Sequence, residues 1–378
     1  MLRVAIVGCG KIADAHLSQI QRIQDCEVVG VCDREPLMAE QLYERFRIGR
    51  YYTRLADLLE QVRPDVVHIT TPPESHFDLA RYCLEQGCHV YVEKPFALYA
   101  EQAEQLIELA ESRGLKLTVG HNDQFSHVAR RMRSLVASGY LGGKPVHMES
   151  YYGYDLGDPS YARALLGDKQ HWVRKLPGKL LHNVISHGIA RIAEFVASDT
   201  PHVIAYGFPS KLLRSIGEDD IVDELRVIIC DEDGTTAYFT FSSQMKPSIH
   251  EFRIYGTQNG LILNQDHEIL LQLRGAKYKS YADKFIPPLG LVKQHFTNLA
   301  GNARLFLAMD FHMDSGMKYL IESFYRSIRE KLPVPIPYPE ILRTARIMDA
   351  IFSQLHAIPL QTRSALQETD LQLGAFAH

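Results

Sequence analysis

Over its first 120 residues the chain alternates short β-branched apolar runs with longer stretches whose apolar positions recur at helical spacing. The runs lie at 3–7, 28–32, 66–70, 89–92 and 116–119, with a weaker one at 48–52 that would be third in order. Between them, Leu42 and Phe46 stand four apart in the stretch 37–46, and the stretch 53–62 opens on Thr53, able to cap a helix. This alternation predicts an α/β fold, a doubly wound Rossmann domain with a parallel sheet and crossover helices. After Phe125 the period changes. A helical segment at about 126–138 leads to a glycine-rich turn and a strand-like run at 145–152. Successive strand-like runs then fill 201–273, and Asp231-Glu232-Asp233-Gly234 joins two of them with a hairpin signal. Runs with tight turns predict a C-terminal α+β domain on an open, mainly antiparallel sheet. Helical patterns at 316–331 and 339–355 close it. The expected division is 1–122, 123–358 for substrate binding and oligomer contacts, and a weakly ordered tail at 359–378. The Leu and aromatic residues of 291–311 read as core, and Glu218-Asp219-Asp220 as a solvated loop.

Composition narrows the function classes. With 378 residues, two or three domains are expected, and 46% hydrophobic with 23% charged residues excludes a disordered chain. Lys and Arg number 41 against 45 Asp and Glu, net −4, which offers no overall basic surface for nucleic acid or an anionic membrane. No apolar run approaches the roughly 20 residues that span a bilayer, and the stretch 4–7 is too short for a signal-peptide core. The six cysteines form no CxxC pair and no cluster with histidine, so they read as free thiols in a reducing, cytoplasmic compartment. No metal is expected: His182 and His187 are five apart, poor ligand spacing on a helix, and no HExxH occurs.

The first chemical signal is Gly8-Cys9-Gly10-Lys11-Ile12-Ala13, after a strand and before a helix, which fits G-x-G-x-x-A. One glycine makes the turn, the second lets backbone approach a pyrophosphate, and the N–H groups at Lys11 and Ile12 face the phosphate at the helix start. Asp33 ends the next strand, where its carboxylate can accept from ribose hydroxyls and repel a 2′-phosphate. The expected cofactor is NAD, with NADP possible because Arg34 adjoins Asp33.

Together with Thr71-Pro72-Pro73-Glu74-Ser75-His76 and Glu93-Lys94-Pro95 at two further strand ends, this turn resembles the glucose–fructose oxidoreductase / inositol dehydrogenase / rhizopine-catabolism (Gfo/Idh/MocA) family. The resemblance runs from residue 3 to about 356 and is strongest in the first 125 residues. It implies a nicotinamide-dependent dehydrogenase of sugars, sugar derivatives or cyclitols, assembled as a homodimer or homotetramer through the C-terminal sheet. It places Thr71, Pro72, His76 and Glu93 beside the cofactor and makes Lys94 the active-site lysine, close to both cofactor and substrate. The segment from Gly178 to His187, with Trp172 before it, resembles the family pattern G-G-x-x-x-D-x-G-x-H, and His187 matches its active-site histidine. Asn183 and His187, four apart on a helix, would share one face.

Three departures stand in that segment: Asn183 for Asp, Lys179 for the second Gly and Ile185 for the Gly two before His187. An amide takes no proton, so the acid–base work falls to His187 or Lys94, with Asn183 left to orient a hydroxyl. His182 is an extra candidate beside it. In Gly120-His121-Asn122-Asp123-Gln124-Phe125, the family's hinge segment, Gln124 replaces the usual Arg, which reads as a missing cationic substrate contact, while His121, Asn122 and Asp123 could line the cleft. The tyrosines at 151, 152 and 154 could stack on a sugar ring or pack a sheet face or subunit contact. Alternatives to a dehydrogenase are an NAD-retaining epimerase, lyase or glycosidase, and a non-catalytic dinucleotide sensor.

Overall fold

The first sheet has six parallel strands, β1 (Leu2–Val7), β2 (Cys26–Cys32), β3 (Tyr51–Tyr52), β4 (Val66–Ile69), β5 (His89–Val92) and β6 (Leu117–Val119), in the order β3-β2-β1-β4-β5-β6. Strands covered on both faces need continuous apolar sequence, and Val4, Ala5, Ile6, Val66, Val67 and Ile69 are all fully buried. The order reverses between β1 and β4, the switch point where ligands of such sheets bind. This computed structural model describes residues 1–275, 278–279, 281–311 and 315–357. The tail expected at 359–378 lies outside the described residues.

One expected cap is absent. Cys32 pairs with Tyr52, and the chain stays extended through Arg54, so the helix Leu55–Val62 starts after Arg54 with no side-chain cap bond; Thr53 does not cap it.

The second sheet has seven strands, β7 (His147–Gly153), β8 (His202–Phe208), β9 (Glu224–Cys230), β10 (Thr236–Ser242), β11 (His250–Tyr255), β12 (Asn259–Asn264) and β13 (Ile269–Arg274), in the order β13-β12-β11-β7-β10-β9-β8. Every neighbouring pair is antiparallel except β7–β10. The expected hairpin is present: Asp231 N–H donates to Thr235 O at 2.8 Å, and Gly234 takes φ +87°. Helices Ser186–Ala193 and Tyr338–Ala357 cover one face of this sheet and share its core. On the other face Ile204, Ile228 and Tyr238 lie opposite one another on three strands and are exposed.

Two further sequence expectations need correction. Residues 291–311 are not core. They lie largely in a long helix, Ala282–Leu307, which Pro287 and Pro288 interrupt in sequence pattern, and Phe285, Leu289, Phe296, Leu299 and Phe306 on it are exposed. This helix is held by polar groups: Gln294 and Asn298, one turn apart, bond the main chain of Gln272 and Leu270 on the edge strand β13. Two amides thereby satisfy an edge that would otherwise present bare N–H and C=O groups. Nor is Glu218 solvated: it is buried, whereas Asp219 and Asp220 are exposed as expected. The side chain of Arg174 is buried and needs counter-charge; Glu218 pairs with it and with Lys169, and Asp220 with it and with Lys179.

The late helix Ser315–Arg329 crosses back to the first sheet, where Met317, Leu320, Ile321, Phe324 and Tyr325 join the core of the N-terminal strands. No described helix is long and apolar enough to cross a membrane. All six cysteines are free thiols.

Candidate active site

The glycine turn is built for close approach. Gly8 takes φ +95°, and a Cβ there would come within 2.7 Å of Thr71 N and Cγ2, so the β1 turn and the end of β4 leave no room for a side chain. Gly10 caps the helix Lys11–Ile20 with no side-chain bond, and open space surrounds the position its Cβ would occupy. The first N–H groups of that helix, at the exposed Lys11 and Ile12, therefore remain available to an anion. Asp33 is locked beside the turn: its carboxylate accepts from Cys9 N–H at 2.7 Å and Glu35 N–H at 3.0 Å. Arg34 is exposed next to it. An open cradle, orphan helix N–H groups and a fixed strand-end carboxylate fit a dinucleotide.

His76 joins two strand-end loops. It is fully buried, with Nδ1 2.8 Å from Pro95 O and Nε2 2.9 Å from Thr71 O, and so ties the loop after β4 to the loop after β5. Thr71 and Pro72 flank that tie. Glu93 and Lys94 follow the last residue of β5, at the carboxyl edge of the sheet.

Lys94 Nζ donates to Asn183 O at 2.9 Å. Asn183 presents this carbonyl because the helix Lys179–Val184 ends there, and terminal carbonyls lack intrahelical donors. Asn183 and His187 thus sit not on one helix but on two, joined at the buried Ile185. Lys179 holds φ +47°, the left-handed backbone that explains a glycine at this position in the family pattern.

His187 is 7% exposed, and its Nδ1 makes no hydrogen bond among the described residues. Asp123 Oδ2 lies 3.8 Å from that nitrogen and 3.7 Å from Arg191 Nη2. The His121 ring stands edge-on at 5.9 Å and the Tyr152 ring nearly parallel at 6.2 Å. Burial lowers the His187 pKa, against the pull of Asp123, and burial likewise lowers that of Lys94, against Glu93 and Asp123. His121 is pushed down to about 3 by burial and by His187. A neutral imidazole beside an ammonium with a lowered pKa is suited to moving one proton near neutral pH.

Behind Lys94 runs a buried chain. Glu93 packs against Gly120, where a Cβ would come within 2.5 Å of its carboxylate. Glu93 Oε1 is 2.8 Å from His16 Nε2, His16 Nδ1 is 2.9 Å from His68 Nδ1, and His68 Nε2 is 2.8 Å from Tyr325 Oη. With both rings neutral and Glu93 ionised, the chain reads one way: Tyr325 O–H donates to His68, His68 N–H to His16, and His16 N–H to Glu93. Burial alone would raise the Glu93 pKa; His16 and Lys94 hold it below the usual range.

The other expected residues scatter. Asn122 and Asp123 border a polar recess with Ser126, Gln265, Asp266 and Glu268. His182 is buried against Phe352 and lines, with His121 and Ser186, a separate cavity beneath residues 95–99. Burial pushes its pKa down to about 4. Trp172 packs on the second core beside His171. Gln124 does not face a substrate cleft, so no cationic contact is lost there. It is buried, with Nε2 2.6 Å from Glu340 Oε1 and 3.2 Å from both Glu194 Oε2 and Ala190 O. The nearby cation is Arg133, which pairs with Glu194 and lies over Phe125. Sequence reading missed Arg191, although it stands one turn after His187, and gave Asp123 no partner. Nothing in the sequence marked Tyr325.

Residues 2–121 match the model of the oxidoreductase family with an NAD-binding Rossmann fold, GFO_IDH_MocA. Over that third of the chain the sequence is similar to the Gfo/Idh/MocA family. The chain is 35% identical over 142 residues to D-glucoside 3-dehydrogenase of Escherichia coli, covering 37% of this chain and 40% of that protein. It is 32% identical over 120 residues to UDP-N-acetylglucosamine 3-dehydrogenase of Acidithiobacillus ferrooxidans, covering 32% and 37%. The matches thus span well under half of these curated relatives. Similarity in fold extends further: an NAD binding oxidoreductase from Klebsiella pneumoniae superposes with a TM-score of 0.76 at 19% identity, over 94% of this chain and 97% of that one. Beyond residues 2–121, then, the chain is similar to that protein in fold alone.

Proposed function

We propose that the protein is an NAD-dependent oxidoreductase that oxidises a CH–OH group of a sugar, sugar derivative or cyclitol. The observation that carries this reading is the bond from Lys94 Nζ to the carbonyl of Asn183, which brings the Glu93-Lys94-Pro95 strand end against the segment bearing His187. The Gfo/Idh/MocA match and its sugar-acting relatives support the substrate class. The helix N-terminus after Gly10 would hold the pyrophosphate, and Asp33 the ribose hydroxyls, favouring NAD over NADP. When bound, nicotinamide supplies the hydride acceptor. His187 Nε2 takes the hydroxyl proton as the C–H bond breaks, and Lys94 Nζ donates to the oxygen that becomes a carbonyl. Asn122, Asp123 and the polar recess beside them offer donors and acceptors for further hydroxyls.

The test is absorbance at 340 nm with NAD and a panel of sugars, sugar acids, cyclitols and nucleotide sugars. A rise with one class supports the reading. Product without net NADH would replace it with an internal redox cycle, and ligand binding without product with a sensor. Lys94→Ala should lower kcat by about 10²–10⁴-fold with NAD affinity within a few-fold; turnover near wild type would remove Lys94 from the chemistry.

We further propose a cytoplasmic location, on the free thiols, a division near residue 122, and a homodimer or homotetramer through the second sheet, whose Ile204, Ile228 and Tyr238 form an exposed apolar row. Light scattering reading a single-chain mass would overturn the assembly.

A further inference from the structure

A histidine that takes a proton at Nε2 needs an acceptor at Nδ1, which fixes the tautomer and stabilises the imidazolium. The residue four before His187 does not serve: Asn183 is an uncharged amide, which cannot stabilise an imidazolium as a carboxylate does, and no hydrogen bond joins it to His187 Nδ1. Three facts converge on another residue. His187 Nδ1 is buried and makes no hydrogen bond, and the carboxylate oxygen that faces it, at 3.8 Å, belongs to Asp123. The same oxygen lies 3.7 Å from Arg191, whose guanidinium nitrogens are buried and make no hydrogen bond among the described residues. Asp123 comes from a different element, the turn Asn122–Phe125 after β6, whereas His187 and Arg191 share the helix Ser186–Ala193.

We propose that Asp123 is the positioning carboxylate of His187, replacing from the hinge segment the acid that position 183 lacks, with Arg191 holding it ionised. The proposal rests on the reading that His187 takes the substrate proton. A separation of 3.8 Å is longer than a hydrogen bond, and such contacts commonly tighten when substrate binds. Burial by itself would push the Asp123 carboxyl up, but His187 and Arg191 hold it below the usual carboxylate range. Besides Asp123, the groups that face His187 are Glu93 and Lys94 at the end of β5, His121 after β6, Tyr152 on β7 and Arg191 on its own helix. Asp123 is the carboxylate within ion-pair distance of the imidazole.

The decisive experiment pairs two substitutions. Asp123→Asn should lower kcat about 10²–10⁴-fold with KM within a few-fold, and move the ascending limb of the pH–rate profile down by about one pH unit, because an imidazole without its carboxylate is a weaker base. Adding Asn183→Asp should restore kcat at least tenfold. A merely structural Asp123 would not be rescued from position 183. Matching thermal unfolding and NAD binding confirm that each variant is folded. An unmoved limb, or no recovery in the folded double variant, overturns the proposal. If the wild type turns over none of the panel, the dehydrogenase reading fails separately. The pairing is then read by NMR titration of the His187 imidazole, assigned with His187→Gln: a fall of about one unit in Asp123→Asn supports it, and no change overturns it.

Discussion

Asp33 is the side chain through which cofactor preference would be set, and its position is fixed. Its two oxygens are committed to Cys9 and Glu35 N–H groups, so the carboxylate stays beside the turn whichever dinucleotide arrives. Asp33→Ala should therefore weaken NAD more than NADP, since it removes both the ribose acceptor and the repulsion of a 2′-phosphate; equal losses in fluorescence titrations would refute that account. At this scale the sequence was informative wherever a residue's placement rests on local geometry. Gly8, Gly10, Asp33 and Lys94 stand at strand ends and turns, which motif spacing marks. It was uninformative where a contact comes from another element. Asp123 was visible only as a polar hinge residue, and Gln124 looked like a lost substrate contact because nothing in the chain announces that Glu194 and Glu340 surround it.

Between elements, the Gln124 cluster joins the hinge turn, the helix His127–Ala137 through Arg133, the end of the helix Ser186–Ala193 and the helix Tyr338–Ala357 through Glu340. Burial, with the neighbouring Glu194, pushes the Glu340 carboxyl up to about 7. An unfolded glutamate loses its proton near 4.3, so between the two values the native state holds a proton that the unfolded chain has released. Its contribution to stability is present below about 4.3 and is lost as pH rises toward 7. Glu340→Gln keeps an acceptor for Gln124 and removes that titration. The variant should gain on the order of 2–3 kcal/mol over the wild type at pH 8, and little at pH 4.5, in urea unfolding. Equal gains at both values would contradict the buried proton. Elements themselves were read from the sequence where burial sets an apolar pattern, continuous in the first sheet and alternating in the second. The helix Ala282–Leu307 escaped because its fixing contacts are amides, Gln294 and Asn298, and its apolar residues face outward.

Across the whole molecule, the first sheet depends on a residue far from it in sequence. Tyr325 closes the hydrogen-bond chain that ends on Glu93, and Tyr325→Phe would leave His68 Nε2 bare in the core. A buried acceptor without its donor costs about 1–3 kcal/mol, so the urea midpoint should fall accordingly. An unchanged midpoint would show that the bond contributes nothing. Helix Ser315–Arg329 also supplies Met317, Leu320, Ile321 and Phe324 to that core, and these residues are synthesised after the entire second sheet. On the ribosome, therefore, the parallel sheet emerges with an apolar flank uncovered and keeps it so while the second domain is made. A chain ending before residue 315 would retain every residue of the glycine turn and of the Lys94 strand end, yet leave the domain that carries them unfinished.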